Sequence, residues 1–314
     1  MTPPSPTDSP FTDLAVPRSF EARYGDGLEH GLCLGGGGLF FVAWQVSYLH
    51  TVAARGIDLA AADRTVGTSA GSVVATNLLA GHLNRLHTQL SLLSRFPAVL
   101  SALVPASEFT PSQLRALELF RLATDADEAT VRAIGHAALA AHTPSPATVR
   151  RNVAFVVGLG RWPSPALHIT CVDAFTGERC VVTHRSGTAR SAAVAASSAV
   201  PGLFPPQPIR DRRCMDGGVS GSGTHVDLLA GAGRVVALTL TDGTEAHDGM
   251  MTQGPDSFAR ELEHLAGTGT RLFLRKPAEV DLEQLMAPAA VPGAMAMGRR
   301  QALEDAEELA EFWR

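Results

Sequence analysis

The chain has 314 residues, 45% of them hydrophobic and 18% charged, with a formal net charge of −5. That length buries a sizeable core without disulfides or metals to staple it. The mildly acidic balance excludes the basic face of a nucleic-acid binder and gives no sign of strong electrostatic docking on anionic membranes.

Residues 1–24 read as a flexible arm. The opening MTPPSPTDSPFTDLAVPRSF is rich in Pro, Ser and Thr and has no basic region followed by an apolar stretch, so it does not read as a signal peptide. No apolar run approaches the ~18–20 residues of a membrane helix, and the expected location is cytoplasmic, with peripheral membrane contact left open. Residues 25–314 read as one domain. Strand 30–34 (HGLCL) leads into a glycine run, Gly35 to Gly38, and a helix over 40–55 that stops at Gly56. A compact second strand ends at Thr65-Val66 and runs straight into Gly67-Thr68-Ser69-Ala70-Gly71, with a small-residue helix over 72–79 behind it. From 82 to 160 the pattern is helical and broken by prolines, a helical insertion that would lie over the site. Its apolar run 96–104 (FPAVLSALV) reads as ordinary helix core before it reads as an acyl groove. Strands follow at 167–172 and 180–183 around a Thr176-Gly177 turn. Then come a helix over 189–196, a Pro-rich loop over 197–208, a short strand end at Cys214-Met215 opening into Asp216-Gly217-Gly218, and a buried strand over 235–240. Helix 256–266, strand 271–274 and a charged helix over 298–313 close the chain. Alternating strands and helices imply an α/β fold with a largely parallel sheet. The four cysteines, Cys33, Cys171, Cys180 and Cys214, are scattered without a C-x-x-C pair, which predicts buried free thiols rather than zinc.

Three motifs carry chemistry. The first is the G-x-S-x-G pattern around Ser69. A serine on a sharp strand-to-helix turn projects its oxygen into the open, and Gly67 and Gly71 let the chain fold tightly beside it. Such patterns arise by chance in Gly-rich chains, but here an apolar strand end precedes the motif and an apolar helix follows it. Ser72, one turn into that helix, is the weaker candidate nucleophile. The second motif is the glycine run. Successive amides freed of side chains, at a helix N-terminus, make an anion hole. A dinucleotide loop would need glycine at 40 or 41, where both residues are Phe, and no Gly-Lys-Ser/Thr follows to make a P-loop. The third is Asp216, presented at a strand end and followed by two turn-forming glycines, Gly217 and Gly218. Histidines downstream (His184, His225, His247 and His264) sit in no setting that singles one out as a base.

The order GGGG, GTSAG, DGG, with the blocks LGGGGLFFVAWQVSYL, VGTSAGSVVATNLLAG, AAVAASSAVPGLFPP and CMDGGV, resembles the patatin-like phospholipase family. The resemblance implies a three-layer α/β/α fold with a mainly parallel central sheet. It implies a serine carboxylic-ester hydrolase with Ser69 as nucleophile and Asp216 as base, without histidine, metal or cofactor. It places the oxyanion hole at the amides of Gly36, Gly37 and Gly38, packs 197–206 beside the site, and implies a lipid or ester substrate. One departure stands out. The family loop runs Gly-Gly-Gly, any residue, Arg or Lys, Gly; here Leu39, Phe40 and Phe41 follow Gly38, and Phe41 stands where a small glycine is expected. Two rivals remain open: a Ser-His-Asp α/β-hydrolase using His225, His247 or His264, and a non-catalytic lipid-binding protein on the same fold. If Asp216 is the base, hydrolysis falls on the acid side as it protonates, and a rate plateau unchanged below about pH 4 contradicts it.

Overall fold

The computed structural model describes residues 14–95, 109–243 and 257–314. The apolar run 96–104 and His247 lie outside the described residues. Eight strands form one sheet among these residues: β1 His30–Leu34, β2 Arg64–Gly67, β3 Leu167–Asp173, β4 Arg179–Val182, β5 Gln207–Ile209, β6 Arg212–Asp216, β7 Arg234–Leu238 and β8 Arg271–Arg275. The segment β3-β2-β1-β7-β8 is parallel throughout, while β4, β5 and β6 add antiparallel pairs around β3.

Side chains alternate across a strand, so a sheet buried on both sides splits its apolar residues between two cores. Here Leu32, Leu34, Val236 and Leu238 join one core cluster. Cys33, Val235 and Ala237 join the other. The first lies under α1 (Gly38–Ala54), α2 (Ala70–Leu79), α7 (Arg190–Ser197) and the closing helix α9 (Val291–Trp313). The second is covered by the 3-10 turn Val226–Leu229 and α8 (Ser257–Gly267). The result is three layers, with a mostly parallel sheet between helices. The helical stretch between β2 and β3 holds α3 (Leu83–Leu93), α4 (Pro111–Arg121), α5 (Glu128–Ala140) and α6 (Pro146–Val157). Thr110, Asp127 and Ser145 cap the last three with side-chain oxygens, and proline opens α4 and α6. Two of the prolines that break the sequence pattern, Pro111 and Pro146, therefore start helices here.

Three segments differ from the sequence reading. The arm is packed from Leu14 onward: Leu14 and Val16 are buried, and Ala15 bridges to Cys180 on the free edge of β4. The Pro-rich loop contains β5, which tolerates Pro208 because an edge strand need not donate on both sides. Helix α9 starts seven residues earlier than its charged half suggests, because its first turns bury Val291, Ala294 and Met295.

Helix α9 fixes α1, and through α1 the glycine run. Trp44 Nε1–H donates to Gln301 (2.9 Å), the Tyr48 hydroxyl to Asp305 (2.8 Å) and the Ser47 hydroxyl to the Met295 carbonyl (2.7 Å), all buried. The helices touch at Gly298, where a Cβ would lie 2.4 Å from the Trp44 carbonyl oxygen. Gly293, on the same helix, has open space around it. Gly298→Ala is therefore expected to destabilise by about 1–3 kcal/mol through overpacking, whereas Gly293→Ala stabilises by up to about 1 kcal/mol through helix propensity. Urea unfolding midpoints of the two variants test this; equal shifts would refute the contact.

Candidate active site

Ser69 sits between β2 and α2 with φ 50° and ψ −118°. A non-glycine residue at positive φ is costly and persists only where its surroundings hold it. Several contacts do so. The Ser69 N–H donates to Ser197 Oγ (2.9 Å), and its carbonyl accepts the Ser72 hydroxyl (2.7 Å). Gly71 passes so close to β1 that a Cβ there would lie 1.8 Å from the Leu34 carbonyl oxygen. The Ser69 hydroxyl makes no capping bond to α2, so it stays available. Ser72, buried and committed to the Ser69 carbonyl, is not presented.

The register of β3 brings Asp216 to this turn. Ile169 pairs with Gly67 of β2 and with Val182 of β4. Cys171 pairs with Asp216 of β6 and with Cys180 of β4. A strand has two edges, so β2 and β6 share one of them. Strand β2 leaves that edge at Gly67, and β6 enters it from the opposite direction, ending at Asp216 two residues further along, roughly 6–7 Å on β3. Ser69 is also two residues past Gly67, so serine and aspartate converge where one strand replaces the other.

Asp216 is 4% exposed. Its Oδ1 accepts the Gly218 N–H (2.9 Å), and Oδ2 is buried with no hydrogen-bond partner of full geometry among the described residues. Burial pushes the carboxyl up from 3.8 to about 6, against the pull of the Gly218 N–H and the Ser69 hydroxyl. The hydroxyl is thus near enough to act on the carboxyl without a formed bond to Oδ2. Such looseness is common before substrate binds.

The glycine run lies against the serine: a Cβ on Gly36 would be 3.2 Å from Ser69 Cβ. Its amides are not equivalent. Gly35 donates to the Leu238 carbonyl (2.9 Å) and Gly36 to the Gly223 carbonyl (2.8 Å). Gly36 therefore has no spare donor, contrary to the sequence expectation. Gly37 and Gly38 have no acceptor among the described residues, and they open helix α1, whose dipole favours an anion there. Gly38 has φ 65°, and a Cβ on it would meet the Leu285 carbonyl at 2.7 Å and Met286 Sδ at 2.9 Å. The aromatic substitution in the loop is absorbed below it. Phe41 is fully buried and stacks on Trp44, which stacks on Tyr48. Phe40 donates its N–H to the Leu285 carbonyl (3.0 Å). The bulk points into the core and leaves two donors open.

A family model for patatin-like phospholipase matches residues 32–229, well over half of the chain. The chain belongs to the patatin-like phospholipase family. Among solved structures, the chain is similar to the type III effector protein ExoU, at 16% identity and a TM-score of 0.32, over 88% of this chain and 53% of that one; it spans about half the length of that structure. No curated protein sequence matches it.

No histidine in the described part of this patatin-like chain is placed as a triad base. His225 Nε2 is held at the Gly217 carbonyl (3.1 Å) and Nδ1 at Arg179 (3.2 Å), and His264 binds the Ala22 carbonyl (2.8 Å). His184 follows β4, whose direction takes it to the other end of the sheet. Sequence reasoning missed Met286, because nothing in its local pattern marks a contact with Gly38 made across almost 250 residues of chain; it placed 197–206 beside the site without the Ser197 hydroxyl on the Ser69 amide, and it named His225 only as a rival base. All four cysteines are buried free thiols. Among the described residues no cluster has metal-ligating geometry, and no helix is long and apolar enough to cross a membrane.

An acid whose pKa is higher folded than unfolded releases its proton more readily on unfolding. Its ionised form therefore costs stability, which is lost as pH rises from about 4 to about 6 and stays lost above that. Two pKa units amount to about 3 kcal/mol. Asp216→Asn is thus expected to raise Tm at pH 8 and to lose that advantage near pH 4; thermal melts at the two pH values measure it. A pH-independent difference would mean the carboxylate is not desolvated.

Proposed function

We propose that this chain hydrolyses carboxylic esters of lipids through a Ser69–Asp216 dyad and an acyl-enzyme. The observation that carries the reading is the meeting of β2 and β6 on one edge of β3. It sets a buried carboxylate with an unpartnered Oδ2 against a strained, uncapped serine.

In this mechanism Asp216 Oδ2 takes the Ser69 hydroxyl proton as Oγ attacks the ester carbonyl carbon. The carbonyl oxygen becomes an oxyanion and accepts from the Gly37 and Gly38 amides, which are fixed before the reaction begins and so need no reorganisation. The tetrahedral intermediate collapses, the C–O bond to the alcohol breaks, and the leaving oxygen takes the proton back from Asp216. Water then gives a proton to Asp216 and attacks the acyl-enzyme. Return of that proton to Ser69 Oγ frees the fatty acid and restores the site. Asp216 has to be ionised at the start of each half-reaction. Its raised pKa makes it a stronger base than an ordinary aspartate while leaving it ionised at neutral pH.

The non-catalytic alternative drew its support from Leu39, Phe40 and Phe41. The burial of Phe41 in the aromatic stack and the open Gly37 and Gly38 amides favour the catalytic reading over it. The substrate class rests on family membership. Acyl chain length and head group are matters for assay.

The deciding experiment is hydrolysis of esters of graded acyl length by wild type, Ser69→Ala and Asp216→Asn, each shown to be folded. The expected outcome is turnover by wild type, none above background for Ser69→Ala, and a loss of about 10²–10⁴-fold for Asp216→Asn. Undiminished turnover in either variant would sink the dyad. A folded wild type that binds lipid but turns over no ester would restore the binding-protein reading.

A further inference from the structure

Both halves of the site rest on one loop that neither half contains. The Gly223 carbonyl accepts the Gly36 N–H (2.8 Å) and so sets the position of the glycines that follow. Two residues later, His225 reaches the Gly217 carbonyl, the residue directly after Asp216 (3.1 Å). His225 is fully buried and held at φ 54°, a left-handed conformation that a side chain adopts only under constraint. Arg179 faces its Nδ1 at 3.2 Å. A guanidinium only donates, so Nδ1 is the acceptor, the ring proton lies on Nε2, and Nε2–H donates to Gly217. Burial and the neighbouring Arg179 hold the ring's pKa well below its ordinary value.

The loop is itself anchored from two sides. Arg179 grips Asp227 with two buried bonds (2.7 and 2.9 Å). It also donates to the Val16 and Pro17 carbonyls (2.9 Å each). On the other side, the buried Glu261 accepts the hydroxyls of Ser222 (3.0 Å) and Thr224 (2.9 Å) and pairs with Arg18 (2.7 Å). Ser222 Oγ in turn accepts the His225 N–H (2.7 Å). Residues 16–18 of the segment expected to be a loose arm thus close both anchors.

We infer that the loop from Ser222 to His225 is a shared brace that holds the oxyanion glycines and the Asp216 turn in register, with His225 and Glu261 as positioning residues. The inference rests on the dyad reading for its catalytic consequence, but the brace itself is a statement about structure. Loss of the His225 donor frees the Gly217 carbonyl and lets the Asp216 turn drift. Loss of the Glu261 carboxylate loosens Gly223 and with it Gly36.

The test compares His225→Leu with His225→Gln. Both bear a similar backbone cost at positive φ, but only Gln keeps a side-chain N–H. Amide hydrogen exchange is followed over 31–41 and 212–223, beside kcat, KM and Tm. The brace predicts faster exchange in 212–223 for His225→Leu, kcat lower by about ten- to a hundredfold with KM within about twofold, and recovery of both in His225→Gln. Glu261→Gln, which keeps the shape, is predicted to speed exchange in 31–41. Unchanged exchange in His225→Leu and Glu261→Gln, or equal damage in both His225 variants, overturns the brace. Exchange is read without turnover, and Ser69 labelling by a fluorophosphonate checks the dyad separately. Altered exchange in a wild-type background that is neither labelled nor active would keep the brace and remove the dyad.

Discussion

Strand β3 has seven residues and β2 has four, and the site exists because of that difference. Paired along one edge of β3, β2 runs out at Gly67 and leaves the upper part of that edge open. Unpaired strand edges are costly to bury, so another strand has to fill the gap. Strand β6 fills it antiparallel and therefore ends, rather than begins, at the gap. Both chains must turn out of the sheet at the same place, one at Ser69 and the other after Asp216. The strained turn at Ser69, the closeness of the carboxylate and its burial all follow from this handover. The brace from Ser222 to His225 acts on the same point from behind.

The handover also explains why Asp216 titrates high. A carboxylate at an exposed sheet end would be solvated and would accept several backbone amides. Asp216 emerges between β3, the elbow and its own glycine turn, where it accepts one amide and is shielded from water. Burial without full hydrogen bonding is what raises the pKa of a carboxyl. The same arrangement costs stability, and it is paired with a second local cost in the positive φ of Ser69. Local strain and a desolvated charge, supported from outside by α7 through Ser197 and by α9 through α1, are the pattern expected where a fold gives up stability for chemistry.

The elbow and the glycine run were legible in sequence because their determinants are local. A turn that admits no Cβ demands glycine at fixed spacing, and Gly67, Gly71 and the GGGG run display it. The α/β alternation was legible for the same reason, since buried parallel strands are short continuous apolar runs. What failed to show was set by pairing between distant segments. Leu14 and Val16 look like part of a Pro-rich arm until the free edge of β4 is present to receive them. Strand β5 hides behind three nearby prolines. Gly36 looks equivalent to Gly37 and Gly38 in sequence, and only the Gly223 carbonyl, almost 190 residues away, separates them. Phe41 reads as an obstruction in the loop until Trp44 and Tyr48 supply the stack that takes it inward.

The central claim is that β6 delivers a desolvated base to Ser69. Its most direct test is the pH dependence of Ser69 nucleophilicity, measured as the rate of phosphonylation by a fluorophosphonate, with loss of fluoride, in wild type and in Asp216→Asn. The account predicts a wild-type rate that rises with pH as a single ionisation with a midpoint near 6, and a slow, flat profile in the variant. A wild-type rate that is flat from pH 4 to 8, or the same titration persisting without the carboxylate, would show that Asp216 is not the group that activates Ser69.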